Sequence, residues 1–226
     1  MDGSPLNLLA LVPALVFAIV FHEIAHGWTA LALGDPTAKE QRRLSPNPLR
    51  HVDPFGTLIL PGLLKLAGAP VFGWAKPVPV VAQRLRNPRF GMMAVAAAGP
   101  LSNLLMASIA AVAIGLLTRG GDPSAASATG FFLTALIYFV QINVFIAFFN
   151  LLPIPPFDGS HIVEGALPRR WGEAYGRLRN LGMGLFFVLV ALSWYGPTSG
   201  WLGHVIGPPI GWMLERFDGL AAWVAG

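Results

Sequence analysis

An apolar segment that contains ionisable side chains constrains this chain more than any other feature. Residues 6 to 33 are long enough to cross a bilayer as a helix, and the stretch FHEIAHGW, residues 21 to 28, places two histidines and a glutamate inside it. Ionisable groups at that depth are costly and are usually retained for a function. The fold must therefore supply partners for these side chains within the membrane.

The composition extends this interpretation to the whole chain. Only 12% of the 226 residues are charged and 54% are hydrophobic, whereas soluble domains carry about 25% charged residues. Further apolar runs lie near residues 91 to 118 and 130 to 152, and two shorter runs lie near 181 to 195 and 201 to 215. Together they predict an all-α polytopic membrane protein with about five transmembrane helices, the first three forming the core.

The connection between the first two long runs contains two unusual pieces. The stretch TLILPGLLKLAGA, residues 57 to 69, is apolar but too short to span, which favours a re-entrant or interfacial segment. The stretch PVFGWAKPVPVVA, residues 70 to 82, alternates valine with proline, a pattern that forbids helix and permits only an edge strand. We expect an edge strand there, at the level of the membrane.

The distribution of basic residues predicts how the chain is oriented. Of the 15 lysines and arginines, nine lie between residues 34 and 89, four between 153 and 180, one at Arg216, and one at Arg119. If the first three helices alternate in direction, 14 of the 15 fall on one side, which the positive-inside tendency assigns to the cytoplasm. We therefore expect an integral multi-pass protein of a bacterial cell membrane, with the ionisable cluster toward the cytoplasmic side. The net charge is +4, and the basic residues lie in loops beside apolar runs, where we expect them to contact lipid headgroups. No nucleic-acid partner is expected.

The motif HExxH is formed by His22, Glu23 and His26. Positions i and i+4 share a helix face, so two imidazoles can hold one ion while the glutamate reaches a metal-bound water. A catalytic zinc needs a third protein ligand and an open position, and the chain has no cysteine to provide it. Asp158 is the candidate, because the prolines of NLLPIPPFDGSH, residues 150 to 161, end the third helix and let the following turn fold back.

The two motifs together resemble the site-2 protease family of intramembrane zinc metalloproteases. The second motif of that family, NxxPxxxxDG, corresponds to Asn150, Pro153, Asp158 and Gly159. The resemblance implies one zinc ion per chain held by His22, His26 and Asp158, with Glu23 as general base. It also implies a substrate that is a transmembrane protein cleaved within or near its membrane segment.

Further stretches extend the resemblance. RHVDPFGTLILPG and GWAKPVPV look like the part of smaller family members in which a membrane-level β-hairpin presents substrate, and AAAGPLSN looks like an element of the next core helix. By the same resemblance Asn103 and Asn150 position substrate or the oxyanion, although an asparagine in a membrane helix can also simply bridge helices. We expect one domain over residues 1 to 226, with the core at about 6 to 165 and a C-terminal helical hairpin at about 175 to 226. No stretch resembles a PDZ or CBS module, so regulation by a separate membrane protein is expected.

Three other interpretations of the cluster stay open at this stage. A metal or proton transporter would line an ion path with the same histidine, glutamate and aspartate side chains. Two histidines and one carboxylate also suit an iron oxygenase, and a catalytically silent homologue would keep the fold without the chemistry. Of the remaining histidines, His51 is a possible fourth ligand or gate but more typical of a loop, His161 is a candidate neighbour of the site, and His204 is expected at the interface.

Overall fold

A computed structural model describes residues 5–66, 68, 73–121, 123–124, 127–194 and 200–226. In these ranges the chain is helical and contains no strand. The helices are α1 (Pro5–Ala32), α2 (Thr37–Glu40), α3 (Leu60–Leu66), α4 (Pro88–Thr118), α5 (Ala128–Asn150), α6 (Asp158–Ala166), α7 (Arg169–Gly176), α8 (Gly182–Trp194) and α9 (Trp201–Ala225). A wide helical turn, Pro54–Ile59, leads directly into α3.

Three helices in the described residues are long and apolar enough to cross a membrane, rather than the five predicted. They are residues 9 to 32 of α1, the whole of α4 and the whole of α5. α8 has 13 residues and rises only about 20 Å, less than the hydrocarbon core of a bilayer. α9 has 25 residues but carries the charged residues Glu215, Arg216 and Asp218. The prediction of a span rested on the apolar run at 201 to 215 and did not take these charges into account.

Local signals explain where the long helices begin and end. α4 starts at Pro88, whose fixed φ suits the first helical position, and the side chain of Asn87 accepts a hydrogen bond from Phe90 N–H. α5 starts after Ser127, whose hydroxyl accepts from Gly130 N–H. α1 ends just before Gly34, which adopts φ +108°, a conformation that favours glycine.

α4 is the central helix of the bundle and packs against α1, α5, α6 and α9. Its contact with α5 and α9 is made by small side chains, Ala107, Ala110 and Ala111, against Val144 and Phe217. Small residues let helix backbones approach closely, which is the main source of helix association in lipid. α1 packs against both α4 and α5, and the two histidines of its HExxH motif are buried.

The direction of α9 corrects the predicted charge distribution. Arg119, at the end of α4, donates a hydrogen bond of 2.8 Å from Nε to the carbonyl oxygen of Val224. The C-terminal ends of α4 and α9 therefore lie together, and Arg216 lies about 12 Å along α9 from Val224. Arg216 belongs to the half of the bundle near Arg119, so 13 rather than 14 basic residues remain at the end where α1 and α5 terminate.

The predicted β-hairpin is not supported in residues 73 to 82, while residues 70 to 72 lie outside the described ranges. Pro77 and Pro79 have no N–H to contribute to a ladder. Four of the remaining backbone donors of this stretch bond to acceptors that do not belong to a strand. Their acceptors are Gly56 O for Trp74, His51 O for Lys76, Glu23 Oε2 for Val78 and Asp35 Oδ2 for Val81. We refer to residues 76 to 81 as the 76–81 segment.

The predicted re-entrant piece corresponds to the turn Pro54–Ile59 and α3, which together are too short to span. The expected C-terminal hairpin contains α8 and α9, and the residues that link them, 195 to 199, lie outside the described ranges.

Candidate metal centre

Three potential metal ligands from two distant parts of the chain lie close together. Asp158 Oδ2 lies 3.1 Å from His22 Nε2 and 3.4 Å from His26 Nε2. The two imidazole rings stand perpendicular, with centroids 4.6 Å apart. In the described residues this is the group of histidine, aspartate and glutamate side chains that could hold a metal ion, with its ligand atoms within 4.8 Å of one another.

The chain between α5 and α6 brings Asp158 to this position. α5 ends at Asn150, and the prolines that follow prevent it from continuing. α6 then begins at Asp158 itself, so its carboxylate projects from the first helical turn. Gly159 packs directly against the carbonyl of Leu151, where a β-carbon would collide with backbone atoms. Glycine at this position therefore allows the turn to close and the aspartate to approach α1.

The other ring nitrogen of each histidine has a defined partner. His26 Nδ1 lies 2.7 Å from the carbonyl oxygen of Val95, which can only accept, so Nδ1 carries the hydrogen. His22 Nδ1 lies 2.6 Å from Asn103 Oδ1. In the neutral form that metal binding requires, both imidazoles therefore present the lone pair of Nε2 toward Asp158.

The resulting arrangement fits a zinc ion. Two Nε2 lone pairs and a carboxylate oxygen face one another, and Asp158 Oδ2 is buried without a well-directed hydrogen bond from the described residues. Three acceptors repel one another unless a proton or a metal cation lies between them. Ligands held at about 2.0–2.1 Å around a tetrahedral ion lie about 3.3 Å apart, which matches the two nitrogen-to-oxygen distances.

Asn103 is fixed by a network of buried amides that the sequence did not reveal. Its side chain is completely buried, and Nδ2 donates to Ala18 O at 3.2 Å and to Asn143 Oδ1 at 2.7 Å. Asn143 in turn donates to Phe139 O. Because Nδ2 has two acceptors, Oδ1 must be the atom that faces His22. Asn143 was not among the residues singled out from the sequence, although an asparagine inside the apolar run of α5 is a signal that could have found it.

Gly99 determines how closely α4 approaches the two histidines. A β-carbon at this position would lie 2.5 Å from His26 Cε1 and 2.6 Å from His22 Cε1. Ordinary carbon contacts are about 3.5–4.0 Å, so only glycine leaves room for both rings. The glycine lies within AAAGPLSN, but the sequence alone gave no indication that it touches the site.

Glu23 and the candidate ligands line a common cavity. The cavity has a volume of about 620 Å³ and is bordered by α1, the 76–81 segment, α4 and the start of α6. Glu23 Oε2 accepts a 2.7 Å hydrogen bond from Val78 N–H, which fixes one carboxylate oxygen and leaves Oε1. Much of the remaining lining is apolar, with Val80, Met92 and Val95 among its members.

The remaining candidates occupy different surroundings. Asn150 and His161 both line the cavity; Asn150 Nδ2 donates to Ile146 O in its own helix, and His161 Nδ1 lies 3.9 Å from Glu164 Oε2. His51 is buried outside the cluster, with Nε2 2.9 Å from Ser45 O, and it contributes no ligand to the group. His204 Nδ1 lies 2.9 Å from Gly200 O at the start of α9.

Comparison with known proteins points to one family. The model of peptidase family M50 matches residues 114 to 192, a range that includes Asp158 but not the two histidines. The chain is 39% identical over 187 residues to "Putative zinc metalloprotease YwhC" of Bacillus subtilis, with 82% of each chain covered. It is 28% identical over 217 residues to a Rip2 protein of Mycolicibacterium smegmatis with the same description, covering 96% of this chain and 76% of the relative. No solved structure matches the chain significantly.

The 39% identity to the Bacillus subtilis protein, over 82% of each chain, shows the family. The three apolar helices agree with a membrane protein. The chain belongs to peptidase family M50, the site-2 protease family of zinc metalloproteases, and is therefore a metallopeptidase that acts on protein.

Proposed function

We propose that this protein is an intramembrane zinc metalloprotease that hydrolyses peptide bonds within or near the transmembrane segments of membrane proteins. One zinc ion per chain would be held by His22, His26 and Asp158. The observation that carries the proposal is the meeting of these three ligand atoms beside Glu23 in a cavity walled by membrane-spanning helices. A soluble substrate would not require the ligands to lie on helices of this kind.

A zinc ion bound there supplies a Lewis acid for the scissile carbonyl and a water whose pKa is lowered toward neutrality. The chain supplies the proton transfers. Glu23 is adjacent to the first ligand, and the N–H of Val78 holds its Oε2 at the wall of the cavity. Oε1 is then the oxygen that takes the proton from the attacking water and returns it to the leaving amine.

Asn103 would serve the reaction by orienting His22. Its amide hydrogen-bonding groups are occupied by His22, Ala18 and Asn143, so the geometry favours this role over contact with a substrate. Partners of this kind fix the tautomer and the ring orientation of a metal-binding histidine. Asn150 lines the cavity and remains the candidate for contact with substrate or the developing oxyanion.

A transmembrane substrate must expose its backbone before it can be cleaved, because a helix hides its carbonyl groups in internal hydrogen bonds. We propose that the unwound portion lies along the 76–81 segment, which borders the cavity and uses only part of its own backbone for internal contacts. Backbone pairing of that kind would compensate for the helix bonds that the substrate loses.

The setting of the enzyme is proposed on the same basis. The basic residues concentrated near the ends of α1 and α5 favour a cytoplasmic position for the cavity, in a bacterial cell membrane. Exposed apolar side chains along α4, such as Leu101, Leu105 and Ile109, would contact lipid. We further propose a single domain over residues 1 to 226 and a separate membrane protein as regulator.

The test is cleavage of a single-span peptide in liposomes by the zinc-loaded full chain. Glu23→Gln should lower the rate by at least about 100-fold while zinc is retained, since general base catalysis contributes roughly that much or more. Asp158→Asn should lose both zinc and activity. Glu215→Gln, which alters an exposed carboxylate on α9, is the matched control and should behave as wild type. Full activity of Glu23→Gln, or ion transport without cleavage by the wild type, would refute the proposal.

A further inference from the structure

Arg43 contacts the 76–81 segment from the loop after α2. Its side chain is buried, with 7% of the residue exposed, and Nη2 donates to Lys76 O at 2.5 Å and to Pro77 O at 3.4 Å. Nε is buried without an acceptor among the described residues, so the side chain does not use its full capacity for hydrogen bonds. Burying a guanidinium is costly, which indicates that its particular position matters.

Asp35 contacts the other end of the same segment. It is fully buried, and Oδ2 accepts from Val81 N–H at 2.6 Å. Oδ1 accepts from Thr37, through the backbone N–H at 3.0 Å and through the hydroxyl. Asp35 follows α1 directly, so the carboxylate links the helix that carries HExxH to the end of the segment.

Glu23 holds the middle of the segment through Val78 N–H. Side chains from residues 23 to 43 therefore bond to four backbone atoms of the 76–81 segment, at its start, middle and end. Two of the intervening residues are prolines, which cannot replace these contacts with backbone N–H bonds of their own. Apart from the hydrogen bond from Lys76 N–H to His51 O, the segment has no regular secondary structure to hold it, and its position depends on these side chains.

We propose that Arg43 and Asp35 are positioning residues that hold the 76–81 segment in place against the cavity, and that substrate affinity depends on them. The inference rests on the proposed function, because it takes the segment to be the surface along which substrate lies. Neither side chain lines the cavity or belongs to the ligand cluster, so their effect is indirect.

The effect should appear mainly in KM. If the segment is correctly placed in only a fraction of the molecules, the apparent dissociation constant of the substrate equals the intrinsic constant divided by that fraction, so binding is weaker. Hydrogen bonds to a charged group contribute enough to change such an equilibrium by about 10-fold or more. We therefore expect Arg43→Met to raise KM by about 10-fold or more, with kcat changed by less than about 3-fold.

The experiment uses the zinc-loaded full chain in liposomes with a quenched-fluorescence peptide that carries one span of about 20 apolar residues. Mobility of the segment is measured separately from the spectrum of a nitroxide label attached to the variant Lys76→Cys. The chain has no cysteine of its own, so the label attaches at this position alone. Arg43→Met should sharpen the spectrum of the label and raise KM, with zinc content unchanged. Arg43→Lys should recover part of both effects, because it restores a cationic donor.

Arg42→Met is the matched control, since Arg42 is the exposed neighbour in sequence, and it should leave both readouts at wild-type values. Asp35→Asn, of nearly the same shape, provides a second test at the other end of the segment if Arg43→Met does not fold. An immobile label in both variants would overturn the inference, as would a loss confined to kcat. Inactivity of the wild type toward the peptide would count against the proposed function, while the label would still report on the two positioning residues.

Discussion

Gly99→Ala is a small change that should disable the proposed metal centre. The added β-carbon would lie 2.5 Å from His26 Cε1 and 2.6 Å from both His22 Cε1 and His26 Nε2. Reaching an ordinary carbon contact requires a displacement of about 1 Å. The rings cannot rotate freely to make room, because Val95 O and Asn103 Oδ1 hold their Nδ1 atoms.

The size of the effect follows from the tolerance of metal ligation. Ligand distances in a competent site vary by about 0.2 Å, so a shift of about 1 Å is several times larger than the site accepts. Loss of a supporting hydrogen bond alone lowers metal affinity by about 10–100-fold. We expect Gly99→Ala to weaken zinc binding by at least about 100-fold, or about 2.7 kcal/mol, and to lower kcat/KM by a similar factor or more.

Zinc affinity would be measured by dialysis of purified protein against a series of chelator-buffered zinc solutions, followed by elemental analysis. Gly211→Ala is the matched control, because no described atom lies within 4 Å of a β-carbon at that position in α9. It should bind zinc as the wild type does. If Gly99→Ala binds zinc within about 3-fold of the wild type and remains folded, the rings do not lie against α4 as described and the reasoning is wrong.

Two further changes test the surroundings of the site. Asn103→Ala removes the acceptor for His22 Nδ1, so zinc affinity in the same dialysis series should fall by about 10–100-fold, and an unchanged affinity would contradict the orienting role. Burial alone would raise the pKa of Asp35, but the hydrogen bonds from Thr37 and Val81 outweigh it and hold that pKa below its ordinary value of 3.8. The stability that Asp35 contributes is therefore complete above about pH 4 and is lost as the pH falls through the lowered pKa of the folded state. Thermal melts from pH 3 to 7 should show a weaker acid dependence for Asp35→Asn than for the wild type; equal slopes would contradict the assignment.

The helical spacing of His22 and His26 was enough to predict that their rings share a face, since positions i and i+4 adjoin on any helix. The approach of Asp158 could also be anticipated, because the prolines after Asn150 must end α5 close to the depth of the histidines. These inferences needed only local geometry. The roles of the residues in catalysis remain predictions.

Other features depend on contacts that a single sequence does not encode locally. Alternating valine and proline suggested an edge strand, but the 76–81 segment bonds to side chains of Glu23, Asp35 and Arg43 instead. Asn103 in α4 and Asn143 in α5 are 40 residues apart in sequence, and only the packing of the two helices brings their amides into a 2.7 Å hydrogen bond. The predicted five spans exceed the three that the described residues support, partly because the apolar run at 201 to 215 was weighed without the charged residues at and beyond its end in the same helix.

The two histidines differ in how their orientation can change during evolution. The acceptor for His22 is a side chain, so substitution at position 103 can alter the basicity and angle of that proposed ligand in a single step. The acceptor for His26 is a main-chain carbonyl, which every residue type at position 95 retains. Substitutions can therefore change metal preference through His22, while the orientation of His26 depends on how α1 packs against α4. Attempts to redesign the enzyme for another metal should begin at position 103.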